Sequence, residues 1–225
     1  GALSDVDGTI AIGKSALTAL TSGASNTAVG FEAISTATTA LNSVAVGKSA
    51  MASVKAGVAA DGCIAIGSSA LLGNSSNDTT IGGTVAIGSA ALYALQTGIG
   101  NIGIGYTALQ GHTTGARNIA IGYGAMNGTA EDDAPTSTDN IFIGYDAGGG
   151  GWDDGADSTD DSNFNVGIGN YAMDAAMDGA LNNTCVGHNA GTAITSASQC
   201  TFVGSGAGSA TSGSENTAFG YLALT

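Results

Sequence analysis

Residues Gly8–Ser15 read GTIAIGKS, which meets the spacing G-x-x-x-x-G-K-[ST] of a phosphate-binding loop. In such a loop Lys14 would reach the phosphates and Ser15 would hold a magnesium ion. GIGNIG at Gly98–Gly103 meets the dinucleotide spacing G-x-G-x-x-G. The run DDGADSTDD at Asp153–Asp161 offers several carboxylates to a hard cation such as calcium. Two histidines, His112 and His188, and three cysteines, Cys63, Cys185 and Cys200, complete the chemically capable set. Each of these chemistries demands a particular local structure, so the elements around the motifs decide among them.

Those elements repeat. The nonapeptide TIAIGKSAL (Thr9–Leu17) has eleven relatives along the chain, among them NTAVGFEAI, SVAVGKSAM, NIGIGYTAL, NIFIGYDAG, NTCVGHNAG, CTFVGSGAG and NTAFGYLAL. The shared glycines are Gly13, Gly30, Gly47, Gly67, Gly88, Gly105, Gly122, Gly144, Gly169, Gly187, Gly204 and Gly220, and their commonest spacing is 17 residues. The residue before each glycine is Val, Ile or, at Phe219, Phe; the third residue after it is Ala in all twelve copies.

The repeat removes the nucleotide motifs. A phosphate-binding loop leaves a strand and enters a helix, whereas TIAI is itself the predicted strand. The position of Lys14 is Phe31, Ser68, Tyr106 or Asn170 in other copies, so it has no fixed role. GIGNIG lies in the same repeat register and falls with it. The acidic run fails the EF-hand spacing, because Ser162 stands where counting from Asp157 needs Gly and Ile168 where it needs Glu. Calcium stays a subsidiary reading, and no metal site is assigned. His112 and His188 occupy different repeat registers, which argues against a shared catalytic or metal role. Cys185 and Cys200, on adjacent copies but two residues out of step, are expected to be buried free thiols beyond disulfide reach.

Composition points the same way. Charged residues make up 10% of the 225-residue chain, aromatics 5%, and glycine contributes 38 residues. The formal charge is −14 with four basic residues in total, a balance that repels nucleic acid and anionic membrane surfaces. No apolar run approaches the length of a membrane span. An enzyme needs a pocket with convergent titratable groups, and this inventory offers little for one; no catalytic residue is assigned.

In each N-x-x-x-G segment, apolar residues sit three and one before the glycine, as at Ile102 and Ile104, with a small residue between them. This alternation predicts a short strand that turns at the glycine. A second turn is predicted at [ST]-G-x-x-N, as in TTGARN. One coil cannot bury its apolar face alone, so coils must stack. The expectation is an all-β, parallel β-solenoid of about twelve rungs and roughly 55 Å, at ~4.8 Å per rung, forming a single domain over residues 1–225. Seventeen residues per rung suggest a flattened, two-sheeted coil. The Val/Ile pairs are expected to fill each coil, and the varied column from Gly103 to Phe142 to face other chains.

At these residues the chain resembles the head repeats of trimeric autotransporter adhesins of the YadA-like family, whose motif is Asn-x-Val-Ala-Ile-Gly-x-x-Ala. The related NTAxGYxAL repeats of phage tail fibres are similar too. The resemblance spans the whole chain. It implies a left-handed β-roll, three chains to a fibre, and display on a virion or a bacterial cell surface, outside the cell. Adhesin heads of this type repeat at shorter intervals than 17, which favours the tail-fibre branch. The family carries no catalytic residues and no cofactor.

The longest spacings, 22 and 25 residues, mark acidic insertions at about 127–139 and 149–164. Ten of the eighteen acidic residues lie between Glu131 and Asp161, together with the only Trp. Solenoid insertions emerge as loops on one face, often the binding face. Asp132, Asp133, Trp152, Asp153, Asp154, Asp157, Asp160 and Asp161 are therefore candidates for contact with a host-cell glycan or protein, with Trp152 as a stacking platform. Solvated acidic loops are the competing reading. Tyr106, Tyr123, Tyr145 and Tyr221 follow their repeat glycines and are expected to form an outward ladder. Ala2-Leu3 and Ala223-Leu224 share one phase of the repeat, from which a segment of a longer array, or end-to-end stacking on copies, is expected. The expected function is a non-enzymatic structural and attachment segment of a surface fibre; the alternative is a self-assembling extracellular filament without a dedicated receptor site.

Overall fold

The period-two alternation makes strands of only three residues each, because the glycine ends each one. In the computed structural model, which describes residues 7–54, 60–73, 80–128, 136–152 and 161–225, the first six are β1 (Ile10–Ile12), β2 (Thr27–Val29), β3 (Val44–Val46), β4 (Ile64–Ile66), β5 (Val85–Ile87) and β6 (Ile102–Ile104). The remainder are β7 (Ile119–Ile121), β8 (Ile141–Ile143), β9 (Val166–Ile168), β10 (Thr184–Val186), β11 (Thr201–Val203) and β12 (Thr217–Phe219). They pair in chain order as one twelve-stranded sheet. Every pairing is parallel and in repeat register, as in Ala120 opposite Phe142 and Phe142 opposite Gly167. The chain is thus an all-β solenoid of about eleven turns, with no α-helix among the described residues.

The second wall is not a second sheet. After each repeat glycine the backbone alternates its handedness, and the second and fourth residues take positive φ, for example Glu32 (56°) and Ile34 (47°). Such angles are strained for a β-branched residue. Rung-to-rung hydrogen bonds hold them. The second residue donates its N–H to the preceding rung, as in Ser49 to the Phe31 carbonyl at 2.8 Å. The fourth donates to the repeat alanine of the next rung, as in Leu92 to the Ala108 carbonyl at 2.9 Å. A wall of turns is therefore bonded as continuously as the sheet.

Gly122 shows why the central glycine is required. Its φ is 143°, and a methyl group there would collide with the carbonyl oxygen of Gly144 on the next rung. The close stacking of coils passes directly over this atom.

The expected orientation of the strands is reversed. In β2, β3 and β5 to β8 the middle residue is buried and both flanking residues are partly exposed. Ala28, Ala45, Ala86, Ala120, Phe142, Cys185 and Phe202 line the inside at zero exposure. The Val/Ile pairs, Ile102 and Ile104 included, point outward. The physical reason is the narrowness of the coil. The interior admits one small strand residue opposite one long residue at the fourth place after the glycine, such as Ala45 with Met51 or Ala86 with Leu92. Two Ile side chains per strand would not fit there.

Variation inside the coil is compensated within the same rung. Where the middle strand residue is large, the fourth residue after the glycine is glycine: Phe142 with Gly148, Cys185 with Gly191, Phe202 with Gly208. A methyl group on Gly148 would lie 2.7 Å from the Phe142 ring, and one on Gly191 or Gly208 would collide with Cys185 or Phe202. Gly167 on the next strand gives the Phe142 ring its remaining space.

The residue before the strand, asparagine in seven of the twelve rungs, forms a third internal column. Asn101, Asn118, Asn140, Asn165 and Asn183 are fully buried. Each Oδ1 accepts the backbone N–H of the next rung, from Asn118 N to Asn101 Oδ1 at 3.0 Å through Cys200 N to Asn183 Oδ1 at 3.0 Å. Side-chain amides also link rung to rung, at 3.1 Å from Asn140 to Asn118. Each Nδ2 further binds a turn carbonyl, as Asn165 binds Ala180 at 2.7 Å. The asparagines thus bond chiefly from coil to coil; the turn bond to a residue's own neighbourhood survives at Asn140, whose Nδ2 reaches Thr138 at 3.1 Å, at Asn101, which reaches Gly98 at 3.4 Å, and at Asn216, which reaches Gly213 at 2.9 Å.

Candidate interaction surfaces

Reversal of the strands puts a continuous apolar strip outside. The outward positions of the twelve strands are Val or Ile except for Thr27, Thr184, Thr201, Thr217 and Phe219. None is charged. Ile66 and Ile168 reach 39% and 37% exposure even within the stack. At ~4.8 Å per rung and a strand width near 10 Å, the strip covers roughly 500 Å², within the range of the largest apolar patches on monomers, which are often functional.

Beside this strip, one residue beyond the turn glycine, runs an aromatic ladder. Tyr106 and Tyr123 stack with ring centroids 5.0 Å apart, and Tyr123 and Tyr145 at 5.3 Å. Tyr145 then meets Tyr171 edge-on at 5.2 Å, and Tyr171 meets His188 at 6.1 Å. Tyr171 enters from the second position after its glycine, so the ladder crosses a register that the repeat pattern alone did not assign to it. Tyr221 stands apart at 78% exposure.

The feet of the two acidic insertions lie side by side. Trp152 N donates to the Gly128 carbonyl at 3.1 Å where the chains leave the described path. Where they return, Thr136 Oγ1 donates to Asp161 Oδ2 at 2.5 Å and Ser162 N to Ser137 Oγ at 3.0 Å. Asp161 is partly exposed. Asp132, Asp133, Asp153, Asp154, Asp157 and Asp160 lie outside the described residues. Trp152 corrects the expectation made for it. It is buried to 1% exposure, packs edge-on to Phe142 at 5.7 Å, and donates its Nε1–H to the Gly148 carbonyl at 2.9 Å. With Gly148 too small to fill the coil's wall, the indole caps the Phe142 ring and offers no open face to a sugar.

The other chemically capable residues are dispersed. Ile10–Ile12 is strand β1, occupying what would be the phosphate loop, and Lys14 Nζ lies 5.9 Å over the Phe31 ring on the outer surface. All three cysteines are buried and free. Burial pushes the Cys63 thiol up to about 11 and the Cys185 thiol to about 12, which leaves both unreactive at neutral pH. His112 is buried with Nε2 3.2 Å from Asn118 Nδ2. Desolvation lowers its pKa to about 4, against a hydrogen bond to the Gly115 backbone that favours the charged form. Arg117 makes a two-pronged pair with Asp139 on the next rung, at 2.6 and 2.7 Å. That bond holds the Asp139 carboxyl below its ordinary range and raises the arginine. No group of three or more metal-ligating side chains occurs among the described residues.

No protein-family profile, curated protein or solved structure matches this chain.

Proposed function

We propose that the chain is a structural and attachment segment of a surface-displayed fibre, three copies to the shaft, of the kind found in YadA-like adhesin heads and phage tail fibres. The observation that carries this reading is the uncharged Val/Ile strip along one side of a rigid solenoid. Outward side chains that are Val, Ile or Thr at every strand position but Phe219, and never charged, fit a surface covered by another copy of the chain. In a threefold arrangement each strip meets two others around a common axis. The acidic insertions, whose feet are hydrogen-bonded to each other, are then the parts to touch a host-cell glycan or protein. The chain acts by shape and display, extracellularly and without catalysis.

The test is the mass of the assembled particle. Sedimentation of the intact chain at micromolar concentration should give three chains. Ile104→Asp with Ile121→Asp should give a single chain with unchanged circular dichroism, because both residues face outward. A wild-type chain that stays monomeric at high concentration sinks the self-association. Trimers that bind no glycan or cell surface, with or without residues 153–160, would leave a filament with no receptor.

A further inference from the structure

The side chains most easily oxidised are distributed unevenly. Every Cys, Met and Trp of the chain is buried: Cys63, Cys185, Cys200, Met51, Met126, Met173, Met177 and Trp152. The exposed electron-rich groups are tyrosines, and four of the six belong to the ladder. Tyr106, Tyr123 and Tyr145 are 51%, 52% and 43% exposed, so an oxidant reaches their ring edges and hydroxyls. Tyr106 stacks on Tyr123 at an interplanar angle of 24°, and Tyr123 on Tyr145 at 13°.

We propose that Tyr106, Tyr123 and Tyr145 form a site of oxidative cross-linking, where a one-electron oxidant ties neighbouring rungs together through dityrosine. Each of two phenols gives one electron to the oxidant and its hydroxyl proton to water. The two radicals pair at ring carbons ortho to oxygen, forming one carbon–carbon bond. Each of those carbons then releases its hydrogen as a proton while each oxygen takes one up, which restores two phenols. Two electrons and two protons leave in all; a haem peroxidase with hydrogen peroxide accepts them and yields two waters. The stack supplies the second phenol at contact distance, so coupling within the chain outruns encounter between chains. Half-exposed rings keep the freedom to pivot from the stack into the biaryl bond. The product is a covalent tie parallel to the solenoid axis, between rungs otherwise joined non-covalently. It depends on the ladder alone, whether or not copies associate.

The basic residues make the tie readable. Trypsin cleaves only after Lys14, Lys48, Lys55 and Arg117, so Tyr93 and Tyr106 fall in peptide 56–117 and Tyr123, Tyr145, Tyr171 and Tyr221 in peptide 118–225. The intact chain is treated with a haem peroxidase and peroxide, and material of single-chain mass is isolated under denaturing conditions and digested. The expected result is peptide 56–117 joined to 118–225, with dityrosine fluorescence. Tyr123→Phe, which keeps the ring in the stack, should abolish the joined peptide, and Tyr93→Phe should retain it. A joined peptide that survives Tyr123→Phe or vanishes in Tyr93→Phe overturns the proposal. So does dityrosine found only between chains, or none at all.

Discussion

The two faces of the one sheet follow opposite rules. On the inner face a large middle residue is always answered within its own rung: Phe142 by Gly148, Cys185 by Gly191, Phe202 by Gly208. On the outer face Ile, Val, Thr and, at Phe219, Phe replace one another without the large-to-glycine exchange that marks the inner face. Compensation marks a cavity of fixed volume closed by the chain itself. Its absence, on a face that nevertheless stays apolar, fits the proposal that another copy covers that face. Each three-residue strand thus gives one side chain to the core and leaves two on the apolar outer strip.

The largest expected effect breaks the inner rule. Phe142→Ala empties the coil beside Trp152 and should cost about 3–5 kcal/mol in urea denaturation. Gly148→Leu alone should be at least as harmful, since the new side chain enters the space of the Phe142 ring. Its backbone is not the obstacle, because Leu92 and Leu109 hold the corresponding positive φ of 51° and 53° in their own rungs. The double variant recreates the Ala–Leu pairing of the rung at Ala86 and Leu92. It should therefore recover part of the loss, with a coupling of ~1–3 kcal/mol. Additive losses would mean that the two positions do not share one cavity.

A smaller effect comes from the polar part of the inner face. The unfolded chain takes up a proton on His112 near pH 6.5, whereas the folded chain resists protonation until about pH 4. The neutral buried imidazole therefore favours the folded state fully above pH 6.5, and that contribution is lost as the pH falls toward 4. Its size is on the order of 3 kcal/mol. Thermal unfolding of the parent and of His112→Gln at pH 7.5, 6, 5 and 4.5 separates this from the carboxylates. The parent should lose more stability than the variant across that interval; parallel curves would place His112 in contact with water.

Rung count, strand positions and parallel stacking were legible because they depend on spacing: one glycine and one alanine recur at fixed offsets through all twelve copies. Which face lies inside was misread, although the signal was present. The copies NIFIGYDAG, NTCVGHNAG and CTFVGSGAG each combine an unusual middle residue with glycine where the others carry Leu, Met or Ile. That pairing across six residues identifies the two inward positions without coordinates. The wall of turns was not legible, since positive φ at Ile34, Met51 or Leu71 contradicts residue preference and is held by bonds to other rungs. Trp152 was misjudged for a related reason. An isolated aromatic in an acidic insertion reads as exposed until Gly148 shows the gap it fills.

The smallest expected effect tests the asparagine column where it is broken. Ser43, Cys63 and Thr84 replace asparagine in three consecutive rungs. Ser43 keeps part of the bonding, with its hydroxyl 2.7 Å from the Ala60 carbonyl, and the Cys63 thiol lies 3.2 Å from the Ile81 carbonyl. Thr84 does not: its buried Oγ1 has no hydrogen-bond partner. A desolvated hydroxyl left in this state costs roughly 1–3 kcal/mol. Thr84→Asn places an amide one rung before Asn101, where its Oδ1 can accept the Asn101 N–H as each later asparagine accepts from its successor. The added volume is met by the geometry that the column already uses five times in succession from Asn101 to Asn183. The variant should unfold at a higher temperature, with a gain of about 1 kcal/mol, and should leave the outer face unchanged. A loss of stability would show that the coil at Thr84 is narrower than its neighbours, and that the break in the column is a consequence of packing there.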